Sequence, residues 1–166
     1  PALILDLDAL EHNIADMAAF AKGMANGYPM AALIGNHDVM EAAQSTFISS
    51  SNWTEKIGPT AALATIKKHH VNNVAEHLKT IGLDIQKGWK EAAIFTGLTV
   101  QITGIPPLSM FSFDYDNGDA LATLFCQEML ARGFLAATTF YTTYAHQPHH
   151  IESYLQSVHE VFGTMA

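Results

Sequence analysis

The spacing of hydrophobic and polar residues changes along the chain, and each period predicts a different element. Ile151, Leu155, Val158 and Phe162 follow spacings of four, three and four, which predicts an amphipathic closing helix. Strict alternation in other places predicts strands. The other elements predicted beyond residue 98 are strands over residues 99–103, 109–114 and 134–141, and a helix over 119–132 that stops at Gly133.

A long helix is predicted before these strands. Pro59 suits the first helical position, and the helix runs from there to about Ile81. Gly82 and Gly88 are expected to interrupt a helical continuation that ends near Phe95. The apolar positions predicted to share one side of the long helix are Leu63, Ile66, Val74 and Leu78.

In the first third of the chain, the sequence pattern predicts shorter elements. Residues 2–5 form an apolar strand pattern, and Asp8 and Glu11 have the spacing of a capping box that starts a helix. Asn26-Gly27 predicts a tight turn leading into a strand. The apolar stripe of the first helix is Leu10, Ile14 and Met17, and a short helix is predicted over 37–43.

These elements predict an α+β protein, in which helices cover a short, mainly antiparallel sheet and a strand-helix segment comes first. The chain has 166 residues, 49% of them hydrophobic and 14% charged, which is a folding composition. The net charge of −8, without a basic cluster, disfavours nucleic acid and anionic membranes as partners. One cysteine, Cys126, and no apolar run of membrane-spanning length favour the cytoplasm.

Lys22 is the first candidate for chemistry, because it precedes a glycine-rich turn in a segment with few charges. An amine in apolar surroundings gives up its charge more readily and can form a Schiff base. A simpler interpretation is that Lys22 ends the first helix, where the helix dipole favours a cation. The spacing alone leaves both interpretations open.

The segment around Lys22 resembles a known family. Residues 20–35 read FAKGMANGYPMAALIG, and they are similar to the segment around the cofactor lysine of class III pyridoxal-phosphate (PLP) aminotransferases, the family that includes glutamate-1-semialdehyde 2,1-aminomutase. Residues 46–66, TFISSSNWTEKIGPTAALATI, resemble the family's next motif. Residues 125–135, FCQEMLARGFL, and Ala145-His146 resemble its carboxy-terminal region, so the resemblance covers about residues 20–166.

The resemblance implies a cofactor, a site and a partner. Lys22 would hold pyridoxal 5′-phosphate as an internal aldimine, and a small amino or keto compound would be the substrate. It also implies the small carboxy-terminal domain of a fold-type I enzyme over residues 57–166, a segment with the lysine and phosphate loop over 22–56, and a homodimer. The resemblance implies that a hydroxyl-bearing loop reaches the cofactor phosphate of the neighbouring subunit, although an ordinary loop that caps its own backbone has the same composition. The residues of this loop are Thr46, Ser49, Ser50 and Ser51.

A different resemblance covers residues 1–21, whose sequence PALILDLDALEHNIADMAAFA is similar to the amino terminus of D-threonine aldolases and alanine-racemase-like proteins. The aldolase lysine motif does not follow it. The large cofactor-binding domain of class III enzymes is not evident before Lys22 either. We therefore expect a truncated or rearranged aminotransferase or aminomutase, with a non-catalytic small-domain remnant and an aldolase- or racemase-like PLP protein as alternatives.

Histidines and aromatic residues are assigned to structure. His69-His70 are adjacent, and no carboxylate or cysteine completes a ligand set for a metal, so we predict no metal site. These two residues and the later histidines His146, His149 and His150 are expected on the solvated surface. The aromatic residues expected in the core are Trp53, Trp89, Phe111, Phe113, Phe125 and Phe162.

Overall fold

A computed structural model of the protein describes residues 17–21, 23–45 and 55–166. The described chain forms two compact units, which divide between Ala75 and Glu76 in the first turn of a helix. None of the helices in the described ranges is long and apolar enough to cross a membrane. The elements are β1 (Met17–Ala21), β2 (Ala31–Gly35), α1 (His37–Ala43), α2 (Ile57–Val71), α3 (Val74–Thr96), β3 (Val100–Ile105), β4 (Leu108–Phe113), α4 (Gly118–Ala131), β5 (Thr139–Tyr141) and α5 (Pro148–Met165).

The first unit contains an antiparallel hairpin in which Met17 lies opposite Gly35 and Ala21 opposite Ala31. The predicted turn is confirmed, since Asn26 and Gly27 take positive φ values of 49° and 106°. These values lie in a region that Asn and Gly tolerate better than other residues. The predicted strand after the turn and the helix over residues 37–43 are confirmed as well.

The predicted first helix includes Met17 in its apolar stripe, and this part of the prediction is wrong. Residues 1–16 lie outside the described residues, but Met17–Ala21 form strand β1. Pairing with β2 supplies hydrogen bonds to this backbone that no local apolar pattern could reveal. The interpretation of Lys22 as the end of a helix is therefore wrong too, because the residue before it ends a strand.

The predicted long helix is two helices. Helix α2 begins at Ile57, which makes Pro59 its third residue, and it ends at Val71. The chain then turns at Asn73, whose φ is 47°, and α3 continues without a break to Thr96. Gly82 and Gly88 were expected to interrupt α3. They lie within it instead, and because they lack a side chain, other parts of the chain approach the helix closely there. A Cβ at Gly82 would lie 1.8 Å from the carbonyl oxygen of Pro106, and one at Gly88 would lie 2.5 Å from Leu155 Cδ1.

The second unit contains a three-stranded antiparallel sheet in the order β3-β4-β5. On β4, Ser109, Phe111 and Phe113 are buried, whereas Met110 and Ser112 are exposed, so one face of the sheet packs against helices. This arrangement confirms the predicted α+β class with a short antiparallel sheet. The predicted strand over 134–141 shrinks to Thr139–Tyr141. The amide of Phe134 cannot join a sheet ladder, because it donates to the Met129 carbonyl at the end of α4.

The end of α4 confirms the predicted role of Gly133. Gly133 has a φ of 87°, its amide donates to Leu130 O at 3.0 Å, and the Phe134 amide donates to Met129 O at 2.9 Å. Together these bonds form a Schellman motif, which satisfies carbonyls that the helix end would otherwise leave unpaired.

The core of the second unit centres on Phe111. Its ring makes edge-to-face contacts with Trp89 on α3, Phe125 on α4 and Phe162 on α5, at centroid distances of 4.8, 5.1 and 5.7 Å. These residues are buried, as is Phe113, which confirms their predicted place in the core. Trp53 lies outside the described residues. Ile151 and Val158 of the closing helix join this core, and Leu155 packs against it.

We predict opposite effects of alanine at two helical glycines. Gly82→Ala would lower the free energy of unfolding by about 2 kcal/mol or more, because its Cβ meets backbone atoms that cannot move aside. Gly163→Ala is the matched control in α5, where a Cβ would find only Thr96 Cγ2 at 4.0 Å. There the higher helix propensity of alanine would raise stability by up to about 1 kcal/mol. Urea unfolding of both variants tests this, and equal effects would contradict it.

Candidate functional site

All five predicted site residues lie outside the described residues: Lys22, Thr46, Ser49, Ser50 and Ser51. The structure describes the chain on both sides of them. Ala21 ends β1 immediately before Lys22, and Gly23 begins the turn immediately after it. The hydroxyl segment comes between α1 and α2 in the chain, with Ser45 and Glu55 as the nearest described residues.

The turn after Lys22 is anchored by backbone and apolar contacts. The Asn26 amide donates to the carbonyl of Gly23 at 3.1 Å, which closes the turn. Met24 and Ala25 are buried and form a small apolar cluster with Ala62 of α2. Two of the residues that follow position 22 are therefore buried, and the apolar surroundings of Lys22 itself stay a prediction.

The lysine segment also meets the start of α2. A Cβ at Gly58 would lie 2.5 Å from the carbonyl oxygen of Pro29 and 3.5 Å from Met30 Cβ, so glycine permits a close approach there. Pro29 follows the Lys22 turn, and Gly58 follows the hydroxyl segment. The structure therefore brings together the described flanks of the two predicted parts of the site.

The amino terminus of α2 is occupied by the chain's own carboxylate. Glu55 accepts hydrogen bonds from the amides of Ile57 at 2.5 Å and Gly58 at 2.7 Å, and Pro59 has no amide hydrogen. Free amides at a helix start would bind phosphate well, but here Glu55 takes two of them. A phosphate role in this segment therefore falls to the hydroxyl groups and stays a prediction.

Two histidines expected on the surface are partly buried. His146 lies with its ring 5.1 Å from that of Phe140, and burial, followed by the neighbouring His150 and His77, lowers its pKa from 6.5. His69 is half-buried, and its Nε2 has no hydrogen-bond partner among the described residues. His70, His149 and His150 are exposed. In the described part of the chain, no three His, Cys, Asp or Glu residues come close enough to hold a metal ion.

The second unit has an open, mostly apolar cavity of about 530 Å³. Tyr154 forms part of its wall, accepts a hydrogen bond from Trp89 Nε1 at 3.0 Å, and has its pKa raised by burial. Alternation in the sequence could not reveal this cavity, because its walls come from β5, the loops beside it and α5. Its principal lining residues are Phe134, Phe140, His146, His150, Ile151 and Tyr154.

Comparison with curated proteins gives aminotransferases as sequence relatives. No protein-family model matches the chain. The chain is 32% identical to 3-aminobutyryl-CoA aminotransferase of Cloacimonas acidaminovorans over 107 residues, which cover 61% of this chain and 25% of that protein. It is 28% identical to aminopentol aminotransferase of Sphingopyxis macrogoltabida over 101 residues, covering 61% and 24%. The chain therefore spans about a quarter of the length of these curated relatives.

Solved structures agree on the fold. The FumI protein of Sphingopyxis sp. MTA144, in its PLP internal aldimine form, superposes with a TM-score of 0.81 at 23% identity over 90% of this chain and 37% of that one. An omega-transaminase from Sphaerobacter thermophilus gives a TM-score of 0.80 at 16% identity, covering 94% and 40%. The chain has the fold of a part of a fold-type I transaminase, and its curated sequence relatives are aminotransferases.

We predict that Glu55 holds the first turn of α2 in place. Glu55→Ala would remove the acceptor of the Ile57 and Gly58 amides, at a cost of about 1 kcal/mol to the helix start. Glu55→Gln keeps one carbonyl acceptor and should lose less. Amide hydrogen exchange of Ile57 and Gly58 measures this, with the exposed Glu76→Ala in α3 as control. Unchanged exchange in Glu55→Ala would contradict the assignment.

Proposed function

We propose that the chain is part of a PLP-dependent aminotransferase of class III type, which transfers an amino group between small amino and keto compounds. The observation that carries the proposal is the similarity to aminotransferases in both sequence and fold. The proposal includes the aminomutase variant of this chemistry.

The residues of the proposed site fit the cofactor in chemical type. The ε-amine of Lys22 would hold its aldehyde carbon, and hydroxyls among Thr46, Ser49, Ser50 and Ser51 would donate to the phosphate of the cofactor in the neighbouring subunit. When bound, the cofactor supplies an electron sink for a substrate carbanion. Lys22 Nζ would then move the proton at the amine-bearing carbon of the substrate. The buried Met24 and Ala25 would place apolar side chains close to the amine in the sequence.

Other requirements of the reaction would come from polypeptide beyond this chain. A carboxylate against the pyridine nitrogen and a ring stacked on the cofactor are not assigned here, and the chain spans 25% of one relative and 37% of one solved structure. We therefore infer that the chain is a truncated or rearranged aminotransferase that binds the cofactor weakly by itself. The single cysteine supports the cytoplasm as its proposed location. The proposed organisation keeps residues 1–21 as a segment of different origin, 22–56 as the site and 57–166 as the small domain.

Two alternatives make different predictions for the same measurement. A non-catalytic remnant would fold without binding PLP at a specific lysine. A D-threonine aldolase- or racemase-like protein, suggested by residues 1–21, would act on a hydroxyamino acid or interconvert its enantiomers. Adding PLP with each substrate class and following product formation separates these from amino transfer.

We predict that Lys22 is the one lysine that PLP labels specifically. Borohydride reduction of the PLP-treated chain, followed by peptide mapping, should place the label on Lys22, and Lys22→Ala should remove it. Lys90→Ala is the control, since Lys90 is exposed on α3, as are Lys79 and Lys87. Because these amines face solvent, they lack the apolar surroundings that would activate one of them as a nucleophile.

Two results would contradict this assignment. Equal labelling of the helix lysines would remove the basis for a specific site. Unchanged PLP binding by Lys22→Ala, with a circular dichroism spectrum like that of the unaltered chain, would do the same. Rapid transamination by this chain alone would keep Lys22 but overturn the inference that further polypeptide is needed.

We predict that the isolated chain associates through exposed apolar residues, which in a complete enzyme would meet the rest of the chain or a partner subunit. Ile94 is 72% exposed and Leu135 is 98% exposed. Sedimentation velocity should show association that increases with concentration. The variant Ile94→Lys/Leu135→Lys should associate less without loss of folding stability. A monomer at every concentration would count against both the association and the proposed homodimer.

A further inference from the structure

The loop between β5 and α5 is fastened by imidazole groups. His146 Nδ1 accepts a hydrogen bond from the Thr143 amide at 3.1 Å, and His150 Nδ1 accepts one from the Gln147 amide at 3.0 Å. The second bond is half of a capping box at the start of α5, since the Gln147 side chain in turn accepts from the His150 amide. A third histidine, His77 of α3, lies with Nε2 at 3.0 Å from the His146 carbonyl.

These contacts fix the protonation of each ring. An imidazole nitrogen that accepts from an amide must have a free lone pair, so His146 and His150 are neutral and carry their proton on Nε2. The Nε2 of His77 faces a carbonyl oxygen, so it must carry a proton and donate. Protonation of Nδ1 on His146 or His150 would set an N–H against an amide N–H and end the hydrogen bond.

Burial and the neighbouring imidazoles disfavour charge on His146, whose pKa they lower. The titratable groups that face His146 are His77 on α3, His150 and Tyr154 on α5, and Tyr141 on β5. None of the residues that line the cavity beside it is a carboxylate. The ring of Tyr144 lies 5.2 Å from that of His77, and the ring of His149 lies 3.9 Å from that of His150. The charged residues Asp84, Lys87, Glu91 and Glu152 line a separate cavity, to which His77 also contributes.

We propose that the β5–α5 loop is an acid-sensitive clasp, which we call the histidine clasp and define as Thr143, His146, Gln147 and His150. At neutral pH the two neutral imidazoles hold the amides of Thr143 and Gln147 and so fix the start of α5. Acidification protonates both rings, releases both amides and loosens the wall that His146 and His150 give to the cavity beside them.

The sign of the effect follows from burial. Because the pKa of His146 is lowered in the folded protein, the unfolded chain takes up the proton more readily. The stabilisation from the clasp is complete above the ordinary value of 6.5 and is lost as pH falls through and below it. Lowering the pH below this value therefore weakens the histidine clasp, whereas raising the pH above it does not.

Amide hydrogen exchange of Thr143 and Gln147, measured by NMR, tests the proposal. After correction for intrinsic exchange rates, protection of both amides should fall about tenfold between about pH 7.5 and about pH 5.5. The variant His146→Asn/His150→Asn places a non-titrating carbonyl oxygen where each Nδ1 stands. Its protection should not depend on pH over the same interval. His159→Asn is the control, since His159 lies on α5 and contacts the ring of Phe95.

Two outcomes would overturn the proposal. One is protection of Thr143 and Gln147 that does not change with pH in the unaltered chain. The other is an equal loss of protection in the double Asn variant. If that variant does not fold, the imidazole ¹⁵N chemical shifts of the unaltered chain test the proposal instead. They should show His146 and His150 neutral with the proton on Nε2 at neutral pH, and any other tautomer at neutral pH would refute the clasp.

Discussion

The close approach between Gly82 and the Pro106 carbonyl determines how the sheet of the second unit lies on α3. A side chain at position 82 would hold the β3–β4 turn away from the helix. With glycine there, Gln86 on the next turn of α3 donates to Ser109 Oγ at 3.0 Å, and Ser109 donates to Pro106 O at 2.9 Å. Thr142 closes the other side, since its hydroxyl donates to Pro107 O at 3.0 Å.

This contact positions the aromatic core. Once the β3–β4 turn is fixed, Phe111 meets Trp89, Phe125 and Phe162 from three helices. Edge-to-face contacts of this kind add specificity to the burial of apolar area. Ser109 and Thr142 are fully buried, but their hydroxyls are satisfied by proline carbonyls, so the polar contacts do not weaken the core.

The sequence predicted the elements whose signals are local. The closing helix, the strands β3 and β4 and the cap at Gly133 follow from periodicity and turn chemistry. The break at Asn73 was missed, because no glycine or proline marks it and an apolar pattern continues through it. Gly82 and Gly88 were expected to interrupt α3, because the close neighbours that explain them are distant in sequence. At the candidate site, the apolar flank of Lys22 was predictable, whereas the use of the α2 amides by Glu55 depends on a side-chain conformation.

The hydrogen bond from Trp89 to Tyr154 has a consequence for how related sequences can change. Both groups are buried, so phenylalanine at position 154 would leave the indole N–H without an acceptor. A smaller apolar residue at position 89 would in turn leave the phenol hydroxyl without its donor. Each single replacement is costlier than the exchange of both by apolar residues. Positions 89 and 154 should therefore covary, and a tryptophan at the first should accompany an acceptor at the second.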